Sequence, residues 1–113
     1  MKKTLSIVIP AYNEEDQLAE CLVSISRQTV MPDEVIVVDN NSTDGSAKIA
    51  REFHFVTLIK ENAQGISHAH HRGFRHASSQ LIARIDADTV LPPDWVSKVL
   101  EFYESPENKM TIL

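Results

Sequence analysis

The run Glu34-Val35-Ile36-Val37-Val38-Asp39 places four consecutive β-branched apolar residues between two carboxylates. Such residues are stiff at χ1 and pack well on a pleated surface, so the run reads as a strand. Successive side chains of a strand point to opposite faces, and here neither face is polar. A strand of that kind is covered on both sides, which places it centrally in a parallel sheet. The remainder of the chain must then supply the covering helices.

It does so in alternation. Thr4-Leu5-Ser6-Ile7-Val8-Ile9 predicts a buried strand stopped by Pro10. Pro10-Ala11-Tyr12-Asn13 follows as a loop, with Asn13 as N-cap and Glu14, Glu15 and Asp16 in the first helical turn, where acid complements the helix dipole. Leu18, Leu22 and Ile25 recur at helical spacing with Cys21 beside them, predicting a helix to about Gln28. Met31-Pro32-Asp33 is a turn. After the run ending in Asp39 comes a polar loop from Asn40 to Ser46, with Asp44 as a helix cap, and a second helix from Ala47 to Arg51. A third strand spans His54 to Ile59, and the loop Glu61-Asn62-Ala63-Gln64-Gly65 carries a glycine where backbone approaches closely. A third helix spans Ile66 to Ala77 despite Gly73, and a fourth strand spans Leu81 to Asp86. Beyond Pro92-Pro93 lies a last helix from Asp94 to Tyr103, with Trp95, Val99 and Phe102 as its apolar stripe. Lys109 to Leu113 opens a further strand. Four strands alternating with four helices predict an α/β fold, doubly wound, with a mainly parallel sheet and helices on both faces.

Ligands of such sheets bind outside the carboxyl ends of the strands, near the switch in strand order. Pro10-Ala11-Tyr12, Asp39 and the pair Asp86 and Asp88 all fall at such ends. On a strand, Asp86 and Asp88 leave on the same side. Two hard oxygen ligands there suit Mg²⁺ or Mn²⁺, with phosphate oxygens and water completing the shell.

Composition bounds the partners. With 113 residues, the chain is expected to form one domain, 1–113. Its 42% hydrophobic and 24% charged residues are those of an ordinary globular protein. A formal net charge of -5 argues against nucleic acid, which calls for a basic face, yet a divalent cation lets an acidic protein hold a nucleoside diphosphate. The single cysteine, Cys21, excludes an internal disulfide and favours a reducing, cytoplasmic setting, with peripheral membrane association left open for the parent protein. The apolar run after Met1-Lys2-Lys3 is too short for a signal peptide, and nothing reaches the length of a membrane span. His68, His70, His71 and His76 lack the further ligands zinc needs and read as a solvated or substrate-facing face.

Three ordered blocks carry a resemblance. Ser6-Ile7-Val8-Ile9-Pro10-Ala11-Tyr12-Asn13-Glu14-Glu15, Val37 to Ser46, and Ile85-Asp86-Ala87-Asp88 resemble family 2 glycosyltransferases, over essentially the whole chain from Leu5 to Trp95. The resemblance implies the GT-A fold with its Rossmann-like nucleotide-binding half, and an N-terminal donor-binding part of a larger domain. It implies a nucleotide-sugar donor, expected to be a UDP-sugar, and inverting transfer to the hydroxyl of a saccharide, lipid or protein acceptor. The implied metal ligands are Asp86 and Asp88, the latter binding directly. The implied nucleotide-binding set is Pro10, Ala11, Tyr12, Glu14, Asp39, Gly65, Arg72 and Asp86, with Tyr12 against the base and Asp39 accepting from the uracil ring N–H. Where the family commonly has alanine, arginine, asparagine, any residue and glycine, this chain has Ala69-His70-His71-Arg72-Gly73; Arg72 or Arg75 is the candidate for the missing charge. The catalytic base is expected beyond Leu113, since Glu101, Glu104 and Glu107 read as solvated charges. Self-association through the uncovered strand from Lys109 to Leu113 is a further expectation. The competing classes are a nucleotidyltransferase and a non-catalytic nucleotide-binding module.

Overall fold

A computed structural model of the protein describes residues 3–104. The elements alternate as expected: β1 (Leu5–Ala11), α1 (Leu18–Ser26), β2 (Glu34–Asp39), α2 (Ser46–Arg51), β3 (Val56–Lys60), α3 (Ile66–His76), β4 (Leu81–Arg84) and α4 (Trp95–Glu104). The four strands form one sheet in the order β3-β2-β1-β4, every pair parallel.

The alternation of side chains divides the core into two layers. Leu5, Ile7, Ile9, Val35 and Val37 pack with Leu18, Cys21, Leu22 and Ile25 of α1, Ala50 of α2 and Val96 of α4. Val8, Ile36 and Val38 point the other way, against Ala69 of α3, with Phe74 and Ile82 beside them. Residues 35–38 are therefore buried on both faces, as their composition requires. Each fully buried Val, Leu or Ile contributes about 1.5–3 kcal/mol of transfer free energy. Gly73 lets α3 lie close on the sheet, since a Cβ there would meet Val8 Cγ1 at 2.3 Å and Val38 Cγ2 at 3.2 Å.

Several expected boundaries move, each for a local reason. Pro10 does not stop β1, which runs through it to Ala11. The Ala11 carbonyl accepts from Asn40 N–H on the β2 side, whereas Val8 O accepts from Ile85 N–H on the β4 side. Pro10 shares the parity of Val8 and lies past the last β4 pair, Val8↔Arg84, so no ladder donor is needed where proline lacks one. Asn13 is not an N-cap. It sits at φ 52, where asparagine is tolerated, and its Oδ1 accepts from Thr43 N–H at 2.8 Å. Residues 15–17 form a turn before α1 begins at Leu18. β3 starts at Val56 rather than His54. β4 ends at Arg84, so Asp86 and Asp88 lie in the turn beyond it, closed by Thr89 N–H donating to Asp86 O at 3.0 Å. On α4 the buried positions are Val96 and Tyr103, while Trp95 and Val99 are half-buried and Phe102 is exposed. The strand expected from Lys109 to Leu113, and Glu107, lie outside the described residues. Among the described residues no helix is long and apolar enough to cross a membrane.

Candidate functional site

The chain steps outward from β1 to β2 to β3 and then places β4 on the opposite side of β1. The crevice at that reversal opens at the carboxyl ends of β1 and β4, the position at which doubly wound sheets bind ligands. Beside it, at the carboxyl ends of β1 and β2, a cleft of about 190 Å³ is lined by Pro10 and Ala11 of β1, Tyr12 and Glu14 beyond it, Asn40 after β2, and Gln64, Ile66 and Ala69 around the start of α3. Tyr12 and Ile66, 51% and 60% exposed, offer apolar surface, while Glu14, Asn40 and Gln64 supply polar groups. A larger groove of about 540 Å³ lies between α1 and residues 90–93; Asp39, Asp86 and Asp88 are in the lining of neither, but the smaller cleft is the one built from strand ends.

Loop-to-loop hydrogen bonds hold this edge in place. Asn40 is 3% exposed, and its Nδ2 donates to the carbonyls of Glu61 and Ala63 at 2.8 and 2.9 Å. Its Oδ1 accepts from Gly65 N–H at 2.9 Å. Gly65 has φ 136 and ψ 145, a region essentially reserved to glycine, and it leads directly into α3. Asp39, 6% exposed, accepts from Ser42 N–H through Oδ1 at 3.1 Å, which folds the loop back over the strand end. Asp44 accepts from the N–H and hydroxyl of Ser46 at the start of α2 and, through Oδ2, from Glu15 N–H. The Ser46 hydroxyl holds its carboxyl below the usual carboxylate range. Ser46 Oγ in turn accepts from Glu14 N–H at 2.8 Å.

Asp86 and Asp88 are both exposed, while Ile85 and Ala87 beside them are buried. Burial thus still alternates from residue to residue after β4 has ended. Glu14 faces them across the crevice: burial first, then the charges of Asp88, Asp44 and Asp86, raise its pKa above the usual value. Burial and the charge of Asp88 push the Cys21 thiol up to about 12, so this buried cysteine stays protonated and does not act as a nucleophile. Among the described residues, no three His, Cys, Asp or Glu side chains gather closely enough to hold a metal between them. A pair of carboxylates within a mutually repelling acidic locus fits Mg²⁺ or Mn²⁺, which take one or two carboxylates and draw the rest of their shell from phosphate and water.

On α3, Ala69 and Gly73 face the sheet, and His68, His71, Arg72, Arg75 and His76 are exposed. Arg72 is not among the cleft residues. The cation beside His70 is Arg84, whose Nη1 lies 3.3 Å from His70 Nδ1. Thus Pro10, Ala11, Tyr12 and Glu14 line one cleft, Asp39 ends β2 and Gly65 precedes α3 next to residues of that lining, and Asp86 and Asp88 lie in the turn beyond β4. Arg72 stands apart. Asn40, Gln64, Ile66 and Arg84 were not predicted as site residues. A buried Asn40, its carboxamide hydrogen-bonded to Glu61, Ala63 and Gly65, looks identical in sequence to the exposed Asn41 beside it, and the only local signal for Arg84 is a charge in an otherwise apolar run.

The model of the family described as Glycosyl transferase family 2 matches residues 6–113. The 4,4'-diaponeurosporenoate glycosyltransferase of Staphylococcus aureus is 39% identical over 108 residues, covering 90% of this chain and 28% of the relative. Among solved structures, the mannosyltransferase PcManGT from Pyrobaculum calidifontis, in complex with GDP-Man and Mn²⁺, superposes with a TM-score of 0.85 at 31% identity, covering 94% of this chain and 34% of that one. The glucosyl-3-phosphoglycerate synthase from Mycobacterium tuberculosis, in complex with Mn²⁺, UDP and glucosyl-3-phosphoglycerate, superposes with a TM-score of 0.72 at 28% identity, covering 87% and 40%. The chain spans between 15% and 33% of the length of the first curated relatives it matches.

Proposed function

The chain belongs to glycosyl transferase family 2, and we propose that it forms the donor-binding part of a metal-dependent glycosyltransferase. The donor is a nucleoside-diphosphate sugar, UDP-linked in this proposal, and the sugar passes with inversion to an acceptor hydroxyl. One observation carries the assignment: the cleft beside Tyr12 and the carboxylates of Asp86 and Asp88 lie at the same edge of the sheet, where its parallel strands end.

Tyr12 presents a flat apolar face for a base, with Ile66 as further apolar surface at the cleft. Asp39, an acceptor when ionised, receives the uracil ring N–H. Guanine offers an equivalent N–H, whereas the corresponding nitrogens of cytosine and adenine accept. The carboxylate therefore favours the bases found in the mannosyltransferase and synthase complexes, with GDP-Man and UDP respectively. The Mn²⁺ in both of those complexes supports a divalent cation, which this proposal assigns to Asp86 and Asp88, with Asp88 as the direct ligand. Such a cation, Mn²⁺ or Mg²⁺, supplies Lewis-acid stabilisation of the departing diphosphate. The acceptor oxygen attacks the anomeric carbon as the bond to diphosphate breaks, and a general base takes the hydroxyl proton. In α4, Glu101 and Glu104 are exposed. We assign the base and the acceptor site to the part of the relatives' length that this chain does not span.

Calorimetry with UDP and GDP, in Mn²⁺ and in chelator, tests the assignment. Binding is expected in Mn²⁺ and lost in chelator. Asp88→Ala should weaken it at least about tenfold, the scale of one charge-assisted contact, with the nucleotide-free melting temperature unchanged. Equal affinity in chelator, or in Asp88→Ala, removes the metal from the site.

A further inference from the structure

The charges around the crevice do not balance once a donor is bound. Two carboxylates and one divalent cation sum to zero, so Asp86, Asp88 and their metal leave the negative charge of a diphosphate uncompensated. Glu14 and Asp44 belong to the same acidic locus: burial first, then the charges of Asp88, Asp44 and Asp86, raises the Glu14 pKa. A cation that offsets this charge has two candidates, Arg72 and Arg84; both are exposed and neither lines the cleft, but only Arg84 lies on the segment that carries Asp86 and Asp88.

Arg84 precedes the carboxylate pair on the same segment. It is the last residue of β4, paired with Val8, and two positions before Asp86. By strand alternation it shares a face with Ile82, which packs in the core layer beneath α3. Its guanidinium is held by His70 of α3, with Nη1 3.3 Å from Nδ1. Arginine only donates, so Nδ1 accepts and the ring proton resides on Nε2. The ring is stacked on Phe74, with centroids 6.2 Å apart, which fixes its plane. Burial, then the charge of Arg84, lowers the His70 pKa, while Asp86 opposes them. Both the lowered pKa and the guanidinium at Nδ1 favour the neutral ring as acceptor, with Arg84 in contact and the charge of Asp86 also felt. Among the described residues Lys98 and Asp94 form the one ion pair. Arg84 is consequently an exposed guanidinium with no carboxylate partner there, beside a metal-type carboxylate and oriented by a neutral ring.

We propose that Arg84, oriented by His70, is the cation that binds the donor's diphosphate. The proposal rests on the donor-binding function above. It names Arg84 as the phosphate-contacting residue and His70 as a positioning residue, on two elements far apart in sequence. The planar fork of arginine matches two phosphate oxygens at once, which a lysine cannot reproduce.

Calorimetry in saturating Mn²⁺ with UDP and with uridine tests it, in the parent protein and in Arg84→Gln, Arg84→Lys, His70→Ala and His70→Asn. Arg84→Gln should weaken UDP about 10- to 100-fold, the range of a charge-assisted hydrogen bond, and leave uridine within about twofold of the parent, since surface substitutions elsewhere are near neutral. Arg84→Lys should recover part of the loss. His70→Ala should weaken UDP about three- to tenfold but add little in combination with Arg84→Gln, as coupled residues do. His70→Asn, which keeps an acceptor near the place of Nδ1, should restore binding. Arg84 is exposed, so circular dichroism and melting curves should match the parent. If the parent binds UDP with Mn²⁺ and Arg84→Gln binds it equally well, or loses uridine in parallel, Arg84 is not the diphosphate cation and the donor-binding function stands. If the parent binds neither UDP nor GDP in Mn²⁺, both proposals fall together.

Discussion

The backbone N–H of Gly65 donates to Oδ1 of Asn40 at 2.9 Å, tying the first residue before α3 to the end of β2. The same carboxamide grips the carbonyls of Glu61 and Ala63, so one buried side chain sets the path of residues 61–65. That path positions Gln64 and Ile66 opposite Tyr12, and hence the width of the cleft. A rigid strand end thereby shapes a wall made of loop.

Asn40→Ala is expected to lower both stability and affinity. It removes the partners of two carbonyls and one N–H, and a buried unsatisfied group costs about 1–3 kcal/mol. Thermal melts should show the loss of stability, and hydrogen exchange at the Gly65 amide should accelerate. Nucleotide affinity should drop with it. An unchanged Gly65 exchange rate would separate Asn40 from the loop.

Asp39→Asn should preserve the fold and alter base choice. Asparagine retains an Oδ1 to accept from Ser42 N–H, the bond that Asp39 makes, while its second atom becomes a donor. The preference for UDP over CDP should fall about tenfold or more, the scale of one mismatched hydrogen bond. Competition titrations with the two diphosphates measure it. Unaltered discrimination with an unaltered fold would make Asp39 a loop residue only.

Gly73→Ala should destabilise the domain although alanine favours helix. The new Cβ would meet Val8 Cγ1 at 2.3 Å, so α3 or β1 must shift. Overpacking of this kind costs about 1–3 kcal/mol, against about 1 kcal/mol gained in helix propensity. Chemical denaturation should show a lowered midpoint. A midpoint at or above the parent's would mean that the two core layers yield at this contact.

Cys21 makes the domain sensitive to alkali. Burial, then the charge of Asp88, pushes its thiol from the ordinary 9.0 up to about 12 in the folded protein. Between those values the unfolded chain releases a proton that the folded one keeps, so this stabilising difference is fully present below pH 9 and declines above it. The slope is about 1.4 kcal/mol per pH unit. Urea midpoints measured from pH 8 to 11 in the parent and Cys21→Ala should converge as pH rises. At neutral pH the native thiol should resist alkylation and react only after denaturation.

Much of this protein was determined by periodicity alone. Residues 35–38 have no polar face, so they require cover on both sides and hence a parallel, doubly wound layer; α1, α2 and α4 on one face and α3 on the other provide it. The same logic brings Tyr12, Asp39, Asp86 and Asp88 to one edge, because in a parallel sheet every strand ends on the same side. Local signals misjudged what depends on neighbours. Pro10 reads as a stop in sequence, but whether a missing N–H matters depends on which strand lies on that side, and past Arg84 β4 has ended. Asn13 has the chemistry of a cap, yet Thr43 and Ser42 of a separate loop claim it. The pairing of Arg84 with His70 spans fourteen residues and two elements, and no spacing rule reaches across that gap. Strand order decided that β4 lies beside β1, and the close seat of α3 on Gly73 then set His70 above the end of β4. Composition specifies which faces must be buried; only packing in three dimensions selects which charged side chains are left facing one another at the edge.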